Sequence, residues 1–136
     1  MIVKHVNVNF CAQAWPLVEG YIIEANKYGG GDYTIDQIKA FVCGGQWMLL
    51  VAVDEQEVIH GAATVTFLNM PNDRIAFITF IGGKLISSRD TYAQMTNIFK
   101  QLGATKVQGA ARESIARLWR RYGFEERYRI VEAKII

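Results

Sequence analysis

Membrane-spanning, disulfide-rich and metal-binding proteins are each marked by features that this sequence has little of. Its apolar runs, such as residues 48–53 and 75–81, are far shorter than the roughly 20 residues that a membrane-spanning helix needs. Its two cysteines, Cys11 and Cys43, lie on separate apolar segments, which favours buried free thiols over a disulfide. No Cys/His spacing is typical of a zinc site. We therefore expect no membrane insertion, no disulfide framework and no metal.

The start of the chain lacks the basic residues and the long apolar stretch of a signal peptide, which predicts a cytoplasmic protein. A length of 136 residues, 51% of them hydrophobic and 21% charged, predicts a single domain over residues 1–136. A net charge of +2 is too small to indicate a nucleic-acid-binding protein. Six arginines between residues 112 and 129 concentrate positive charge, and we interpret them as a solvated helix face rather than a nucleic-acid surface.

The first 45 residues predict one strand and two helices. Residues 2–8 alternate imperfectly between apolar and polar and predict a short strand. Residues 10–28 carry apolar side chains at helical spacing, and the glycines at 29–31 end that helix. A second helix is predicted to begin at Thr34, whose hydroxyl can cap it, and to end at Gly44.

The middle of the chain predicts an antiparallel meander. Residues 46–53, 58–68 and 74–81 are rich in β-branched and aromatic side chains, and polar turns separate them. The spacing of apolar residues then changes from that of a strand to that of a helix. Apolar side chains between residues 95 and 102 recur at helical spacing, which predicts a helix there.

The end of the chain predicts a strand, a helix and a strand. Residues 105–110 predict a short strand, and residues 115–122 predict a helix that Gly123 ends. Residues 124–136 predict a last long strand. The complete order is β-α-α-β-β-β-α-β-α-β, which predicts an α/β domain with one mixed sheet.

This order, together with residues 113–125 (ESIARLWRRYGFE), resembles the GNAT N-acetyltransferase superfamily. The late helix, its basic last turn and the Gly-Phe that follows it are similar to the family's late helix and the start of its final strand. The resemblance implies a GNAT-like fold and acetyl-CoA as co-substrate. It also implies that the strand at 74–81 splays from its neighbour, so that backbone groups at Phe80 and Ile81 pair with the pantetheine arm.

The resemblance further implies that the pyrophosphate lies on amides at the start of the helix after residue 83. Where the family has Q/R-x-x-G-x-G/A, this chain reads Gly83-Lys84-Leu85-Ile86-Ser87-Ser88, so side chains replace two glycines. The implied phosphate contacts are Lys84, Ser87, Ser88, Arg89 and Arg112. An alternative interpretation is that Ser88 only begins a helix.

Three positions bear on catalysis. Many family members have a tyrosine four residues before the glycine of Gly-Phe, where it protonates the leaving thiolate; this chain has Trp119, whose indole is a very poor acid. Glu24 in the first helix and His60 in an apolar strand are the candidate bases. The alternatives are an ordinary surface carboxylate for Glu24 and a half-buried, hydrogen-bonded histidine for His60.

The resemblance implies an acetyl-CoA-dependent N-acetyltransferase that acts on a small-molecule or protein amine by direct attack. The alternative is a GNAT-like protein that has lost catalysis and serves in assembly, as similar small proteins of bacteriophage virions do. A homodimer or a virion assembly is then the expected partner, and the expected location is the host cytoplasm or the virion.

Overall fold

A computed structural model describes residues 1–85 and 88–136 of the chain. Its elements in chain order are β1 (Ile2–Val6), a 3-10 turn (Val8–Phe10), α1 (Cys11–Asn26), α2 (Ile35–Cys43), β2 (Met48–Val53), β3 (Ile59–Asn69), β4 (Arg74–Gly83), α3 (Arg89–Gln101), β5 (Lys106–Gly109) and α4 (Glu113–Arg120). Among these residues, no helix is long and apolar enough to cross a membrane.

The strands form one mixed sheet in the order β1-β2-β3-β4-β5. The first four pair antiparallel, and β4 and β5 pair in parallel across the connection through α3. The turn between β2 and β3 is fixed by Asp54, whose carboxylate accepts the backbone N–H groups of Gln56 and Val58 at 2.9 Å each. The predicted α/β fold with a mixed sheet and an antiparallel meander is confirmed.

Each face of the sheet has its own hydrophobic core, because side chains alternate between the faces of a strand. On β2, Leu50 and Ala52 face the core beneath α3 and α4. Leu49, Val51 and Val53 face the core beneath α1 and α2. The sheet is therefore covered on both sides, which explains why its central strands read as nearly continuous apolar runs.

The helices bury the stripes that their spacing predicts. The buried side chains are Cys11, Trp15, Val18 and Ile22 of α1, Ile38 and Val42 of α2, Met95 and Phe99 of α3, and Trp119 of α4. Both cysteines are free thiols, and burial raises the pKa of the Cys11 thiol above its ordinary value.

Capping boxes define the start of two helices. The Thr34 hydroxyl accepts the backbone N–H of Gln37 at 3.2 Å, and the Gln37 side-chain oxygen accepts the backbone N–H of Thr34 at 2.9 Å. Ser88 and Thr91 make the same reciprocal pair at the start of α3. The predicted cap at Thr34 is confirmed, and Ser88 does begin a helix.

The prediction of a final strand over residues 124–136 is wrong. These residues form no element, and their large apolar side chains point into solvent; Ile130 is 86% exposed and Val131 is 90% exposed. Phe124 is anchored, because its N–H donates to the Trp119 carbonyl at 3.2 Å and its ring stacks on the Trp119 indole. The alternating pattern suits a strand, but a strand also needs a partner edge, and this segment pairs with none of the described residues.

Candidate functional site

An opening in the described part of the structure lies where β4 and β5 separate. The two strands pair through only four positions, from Ile75 opposite Lys106 to Ile78 opposite Gly109. β5 then ends, whereas β4 continues to Gly83. Residues 79–83 of β4 thus keep β3 as a neighbour on one side and face a cleft on the other.

A β-bulge at Thr79 begins this separation. Thr64 of β3 lies opposite Phe80 and Val65 lies opposite Ile78, so Thr79 is an extra residue on β4. The Thr79 hydroxyl donates to the Thr64 carbonyl at 2.9 Å and lies 2.6 Å from the Thr64 hydroxyl, which holds the bulge in place. Because a bulge bends and twists its strand, it directs β4 away from β5 at the residue where their pairing stops.

The cleft encloses a cavity of about 750 Å³. It is bounded by β4, by the end of α1 and the loop that follows, and by the start and inner face of α4. Its lining includes Glu24, Tyr28, Asp32, Tyr33, Phe80, Ile81, Arg112 and Trp119. A cavity of this size is in the range that holds small-molecule ligands.

Charged and aromatic side chains surround the mouth of the cleft. The Arg112 guanidinium lies 3.7 Å above the centre of the Tyr28 ring. Glu24 pairs with Lys27 at 2.7 Å on the exposed side of α1, and Asp32 adds a second carboxylate on the same side of the cavity. The mouth therefore has an acidic rim at the end of α1 and a basic rim at the start of α4.

Trp119 forms the inner wall of the cleft. Its indole is 3% exposed and stacks on Phe124 with the ring centres 4.9 Å apart. A Cβ atom added to Gly109 would lie 2.8 Å from two indole carbons, so only glycine at this position of β5 admits the ring. The indole N–H is buried and meets no acceptor among the described residues. The Trp119 side chain is therefore part of the core beneath α4 as well as a wall of the cleft.

The loop between β4 and α3 begins with a backbone that only glycine adopts easily. Gly83 has φ of +69°, and a Cβ there would lie 2.7 Å from the Gly61 Cα. The Lys84 N–H then donates to the His60 carbonyl at 2.9 Å, and Leu85 is fully buried. These contacts fix where the loop leaves the sheet, immediately before α3.

The predicted site residues fall into three groups. Glu24, Phe80, Ile81 and Arg112 line the cleft. Lys84, Ser88 and Arg89 follow the last cleft-lining residue of β4 and lead into α3. Ser87 and the loop residue Ile86 lie outside the described residues.

Arg89 and His60 make contacts away from the cavity. The Arg89 guanidinium donates to the Arg121 carbonyl at 3.2 Å and lies 5.8 Å above the Tyr122 ring. His60 lies 2.7 Å from the Asp54 carboxylate through Nε2 and is not part of the cavity lining. The hydrogen bond from His60, followed by that from the Val58 N–H, lowers the pKa of Asp54 below its ordinary value of 3.8.

Sequence reasoning did not identify Tyr28, Asp32, Tyr33 or Thr79. The first three surround a glycine-rich turn, where no periodicity indicates which side chains face a cavity. Thr79 fits the apolar–polar alternation of an ordinary strand. The bulge at Thr79 depends on the register of β4 against β3. One feature of the sequence does indicate this part of the site: an acidic and an aromatic side chain, Asp32 and Tyr33, directly follow a run of glycines.

Comparison with known proteins finds solved structures with a similar fold but no match by sequence. No protein-family model matches the chain, and no curated protein sequence does. The fold is similar to a ribosomal-protein-alanine N-acetyltransferase from Brucella melitensis biovar Abortus 2308, with a TM-score of 0.71, 12% identity and coverage of 99% of this chain and 100% of that one.

Two further solved structures have bound molecules in their descriptions. A predicted acetyltransferase from Clostridium acetobutylicum, solved with acetyl-CoA, has a TM-score of 0.66 and 14% identity over 97% of this chain and 94% of that one. An aminoglycoside acetyltransferase from an uncultured soil metagenomic sample, in complex with sisomicin, has a TM-score of 0.67 and 13% identity over 98% and 95% of the two chains.

These likenesses, together with the splayed strands, show that the chain has the fold of the GNAT acetyltransferases. The GNAT-like fold that the resemblance implied is thereby confirmed. At 12 to 14% identity the likeness establishes the fold, and the activity has to be argued from the site.

Proposed function

We propose that the protein transfers an acetyl group from acetyl-CoA to an amine. The observation that carries this proposal is the cleft between β4 and β5, which leaves residues 79–83 of β4 facing a cavity of about 750 Å³. An extended pantetheine arm has amide groups that can pair with such a backbone edge as an added strand does. The presence of acetyl-CoA in one structure of the same fold is consistent with this use.

The start of α3 suits the pyrophosphate of the co-substrate. α3 runs from Arg89 to Gln101, so its first turn presents amides without intrahelical partners and the positive end of a helix dipole. The Ser88 hydroxyl caps this turn by accepting the Thr91 N–H at 3.2 Å. Lys84 and Arg89 add positive charge on either side of it. Backbone amides, rather than a glycine-rich loop, would then hold most of the phosphate charge.

The rim of the cleft favours a cationic amine as acceptor. Glu24 and Asp32 lie on the α1 side of the cavity, beside the rings of Tyr28 and Tyr33. Carboxylates attract an ammonium group, and aromatic faces stabilise it by cation–π contact. Because the Arg112 guanidinium already covers one face of the Tyr28 ring, an ammonium group would contact the other face of that ring or Tyr33.

In the proposed reaction, Glu24 accepts a proton from the ammonium group, directly or through water, because an amine attacks only in its neutral form. The amine nitrogen then bonds to the thioester carbonyl carbon, loses its second proton to water, and the carbon–sulfur bond breaks as the amide forms. Backbone N–H groups of β4 at the cleft would stabilise the developing oxyanion. The thiolate is a good leaving group without an acid, since free thiols ionise near pH 8.5, and it takes its proton from solvent.

A thermal-melting experiment tests the first part of the proposal. At a free concentration about 100 times its dissociation constant, acetyl-CoA should stabilise the fold by roughly 2.7 kcal/mol, a shift of several degrees. ATP at the same concentration is the control for charge alone. If acetyl-CoA shifts the melting temperature no more than ATP does, the proposal is overturned and the assembly alternative is favoured.

A thiol-release assay tests the acceptor. The wild-type protein should release CoA thiol faster with polyamines and aminoglycosides than with amines that are neutral at the assay pH. Asp32→Asn should raise KM for a cationic amine by several-fold, because it removes a charge from the rim. Glu19→Gln is the matched control, since Glu19 also lies on the α1 side but outside the cavity lining. Equal effects of the two substitutions would contradict a cationic acceptor site.

A further inference from the structure

The ammonium group of Lys27 lies against a carboxylate that lines the cleft. Lys27 Nζ donates a hydrogen bond to Oε2 of Glu24 at 2.7 Å. Lys27 is the C-cap of α1, and the next two residues, Tyr28 and Gly29, are part of the cavity lining. The Lys27 side chain therefore begins at the mouth of the cleft and ends on the carboxylate that we propose as the base.

Other lysine ion pairs of the described chain use carboxylates away from the cleft. Lys4 pairs with Glu57 at 2.9 Å. Lys106 pairs with Asp73 at 3.1 Å. Neither of these carboxylates is among the cavity-lining residues. An ion pair between helix neighbours is ordinary in itself, so what distinguishes the Lys27 pair is that its carboxylate belongs to the cavity lining.

The Lys27 amine is accessible and lies where the proposed reaction begins. The side chain of Lys27 is 60% exposed and that of Glu24 is 63% exposed. The hydrogen bond to Glu24, followed by the charge of Glu24, raises the pKa of Lys27 above its ordinary value of 10.5. Lys27 is therefore protonated at neutral pH, as a free alkylamine acceptor is. Glu24 thus contacts in Lys27 the same chemical group that it is proposed to deprotonate in a substrate.

We propose that Lys27 is a self-acetylation site, at which the protein transfers the acetyl group of acetyl-CoA to its own Nζ when no other amine occupies the cleft. This inference rests on the proposed acetyl transfer and adds an acceptor within the same chain. A side chain held beside the base has a far higher effective concentration than a free amine in solution. Acetylation removes the charge of Lys27, so that Glu24 loses its partner and the acidic rim attracts a cationic acceptor more strongly.

The transfer to Lys27 needs no reactant beyond acetyl-CoA and water. The Lys27 ammonium gives one proton to the Glu24 carboxylate, and the neutral nitrogen bonds to the thioester carbonyl carbon. The nitrogen loses a second proton to water, and the carbon–sulfur bond breaks as the amide forms. CoA leaves as the thiolate and takes a proton from solvent. Each chain can undergo this reaction at Lys27 only once, so it appears as a burst rather than as turnover.

The first experiment incubates the full-length protein with acetyl-CoA and no added amine, and follows acetylation of each lysine by peptide mass spectrometry. Lys27 should be acetylated at least about tenfold faster than Lys39, because a positioned base contributes roughly 10²–10⁴-fold. Lys39 is the reference, since it is exposed on α2 and lies outside the cavity lining. The rate per chain should not depend on protein concentration, because the transfer occurs within one chain. Equal rates at the two lysines, or a rate that rises with protein concentration, would overturn the proposal.

A parallel reaction with added polyamine separates this proposal from acetyl transfer itself. Acetylated polyamine, together with a Lys27 that stays unmodified in the reaction without polyamine, would overturn self-acetylation and leave the proposed function standing. If neither the polyamine nor Lys27 is acetylated, both are overturned. Acetylation of Lys27 without acetylation of the polyamine would support self-acetylation and contradict a polyamine as the acceptor.

The second experiment uses two matched pairs of variants, with thermal melting of each to confirm that it is folded. Glu24→Gln should reduce the acetylation rate of Lys27 to that of Lys39, whereas Glu19→Gln, on the same helix but outside the cavity lining, should keep the preference. Lys27→Gln has a neutral amide, as acetyl-lysine does, and should lower KM for a cationic amine several-fold relative to Lys39→Gln. A Glu24→Gln protein that still prefers Lys27, or equal KM values for Lys27→Gln and Lys39→Gln, would overturn the proposal.

Discussion

The guanidinium of Arg112 lies 3.7 Å above the ring of Tyr28, and this contact joins the start of α4 to the loop after α1 across the mouth of the cleft. The two residues are distant in sequence, and neither is buried. The same guanidinium lines the cleft. The family resemblance implies that it also contacts the phosphates of the co-substrate. Its loss should therefore affect binding more than stability.

Arg112→Ala should raise KM for acetyl-CoA by several-fold and leave the free energy of unfolding within about 1 kcal/mol of the wild type, the size of an exposed cation–π contact. Arg117→Ala is the control, because Arg117 is also exposed on α4 but does not line the cavity. Steady-state kinetics and urea unfolding give the two values. A loss of stability without a change in KM would mean that Arg112 only holds the mouth together.

Gly109 and Trp119 should be coupled in stability. A methyl group at Gly109 would lie 2.8 Å from the indole, so Gly109→Ala should cost about 1–3 kcal/mol by overpacking. In the background of Trp119→Phe, whose ring is smaller, most of this cost should disappear, and a double-mutant cycle measures the difference.

Gly20→Ala is the control for the Gly109 substitution. Gly20 lies inside α1 and an added Cβ there meets no atom within 4 Å, so alanine should stabilise the helix by up to about 1 kcal/mol. An equal cost of Gly109→Ala in both backgrounds would show that the strand, rather than the indole, rejects the side chain.

The sequence predicted those parts of the fold that local pattern determines. The stripe of Trp15, Val18 and Ile22 is buried as its spacing indicates, because a helical face depends on residues within a few turns. The cap at Thr34 follows from the chemistry of one hydroxyl and the next backbone N–H groups.

Features that depend on distant partners could not be predicted in the same way. The bulge at Thr79 arises from the register of β4 against β3, which alternation along one strand does not reveal. Residues 124–136 have the alternation of a strand, but the pattern does not specify which edge they join. Asp32 lies in a turn, where the backbone path alone decides that it reaches the cleft.

Asp54 should make the stability of the fold depend on pH in the acid range. Hydrogen bonds from His60 and from the Val58 N–H lower its pKa in the folded state below the ordinary 3.8. A carboxyl with a lowered pKa stabilises the fold above its unfolded value, and this contribution is lost as the pH falls through the folded value. Asp54→Asn should therefore be less stable than the wild type at neutral pH, and the difference should shrink between about pH 5 and pH 2.

Urea unfolding at several pH values measures this difference for Asp54→Asn. Glu55→Gln is the control, because Glu55 lies in the same turn and is exposed. A difference between wild type and Asp54→Asn that stays constant down to the acid limit would mean that the Asp54 carboxylate does not change its pKa on folding.

Trp119 allows packing and chemistry to be separated by a pair of substitutions. Trp119→Ala should cost about 3–5 kcal/mol, because the indole is buried in the core beneath α4. Trp119→Tyr and Trp119→Phe should both be milder and similar to each other, since each keeps an aromatic ring against Phe124 and Gly109.

The Trp119→Tyr and Trp119→Phe variants differ in one hydroxyl, which lies on the inner wall of the cleft where GNAT-like sites commonly place an acid. Because the thiolate leaves without an acid in the proposed reaction, the added hydroxyl should give no gain, and kcat of Trp119→Tyr should equal that of Trp119→Phe. The release of CoA thiol with a saturating cationic amine measures kcat, and acetyl-CoA melting shifts confirm that both variants still bind the co-substrate. A kcat for Trp119→Tyr above that of both the wild type and Trp119→Phe would contradict this and would show that proton transfer to the thiolate limits the rate, because a phenol donates a proton and an indole does not.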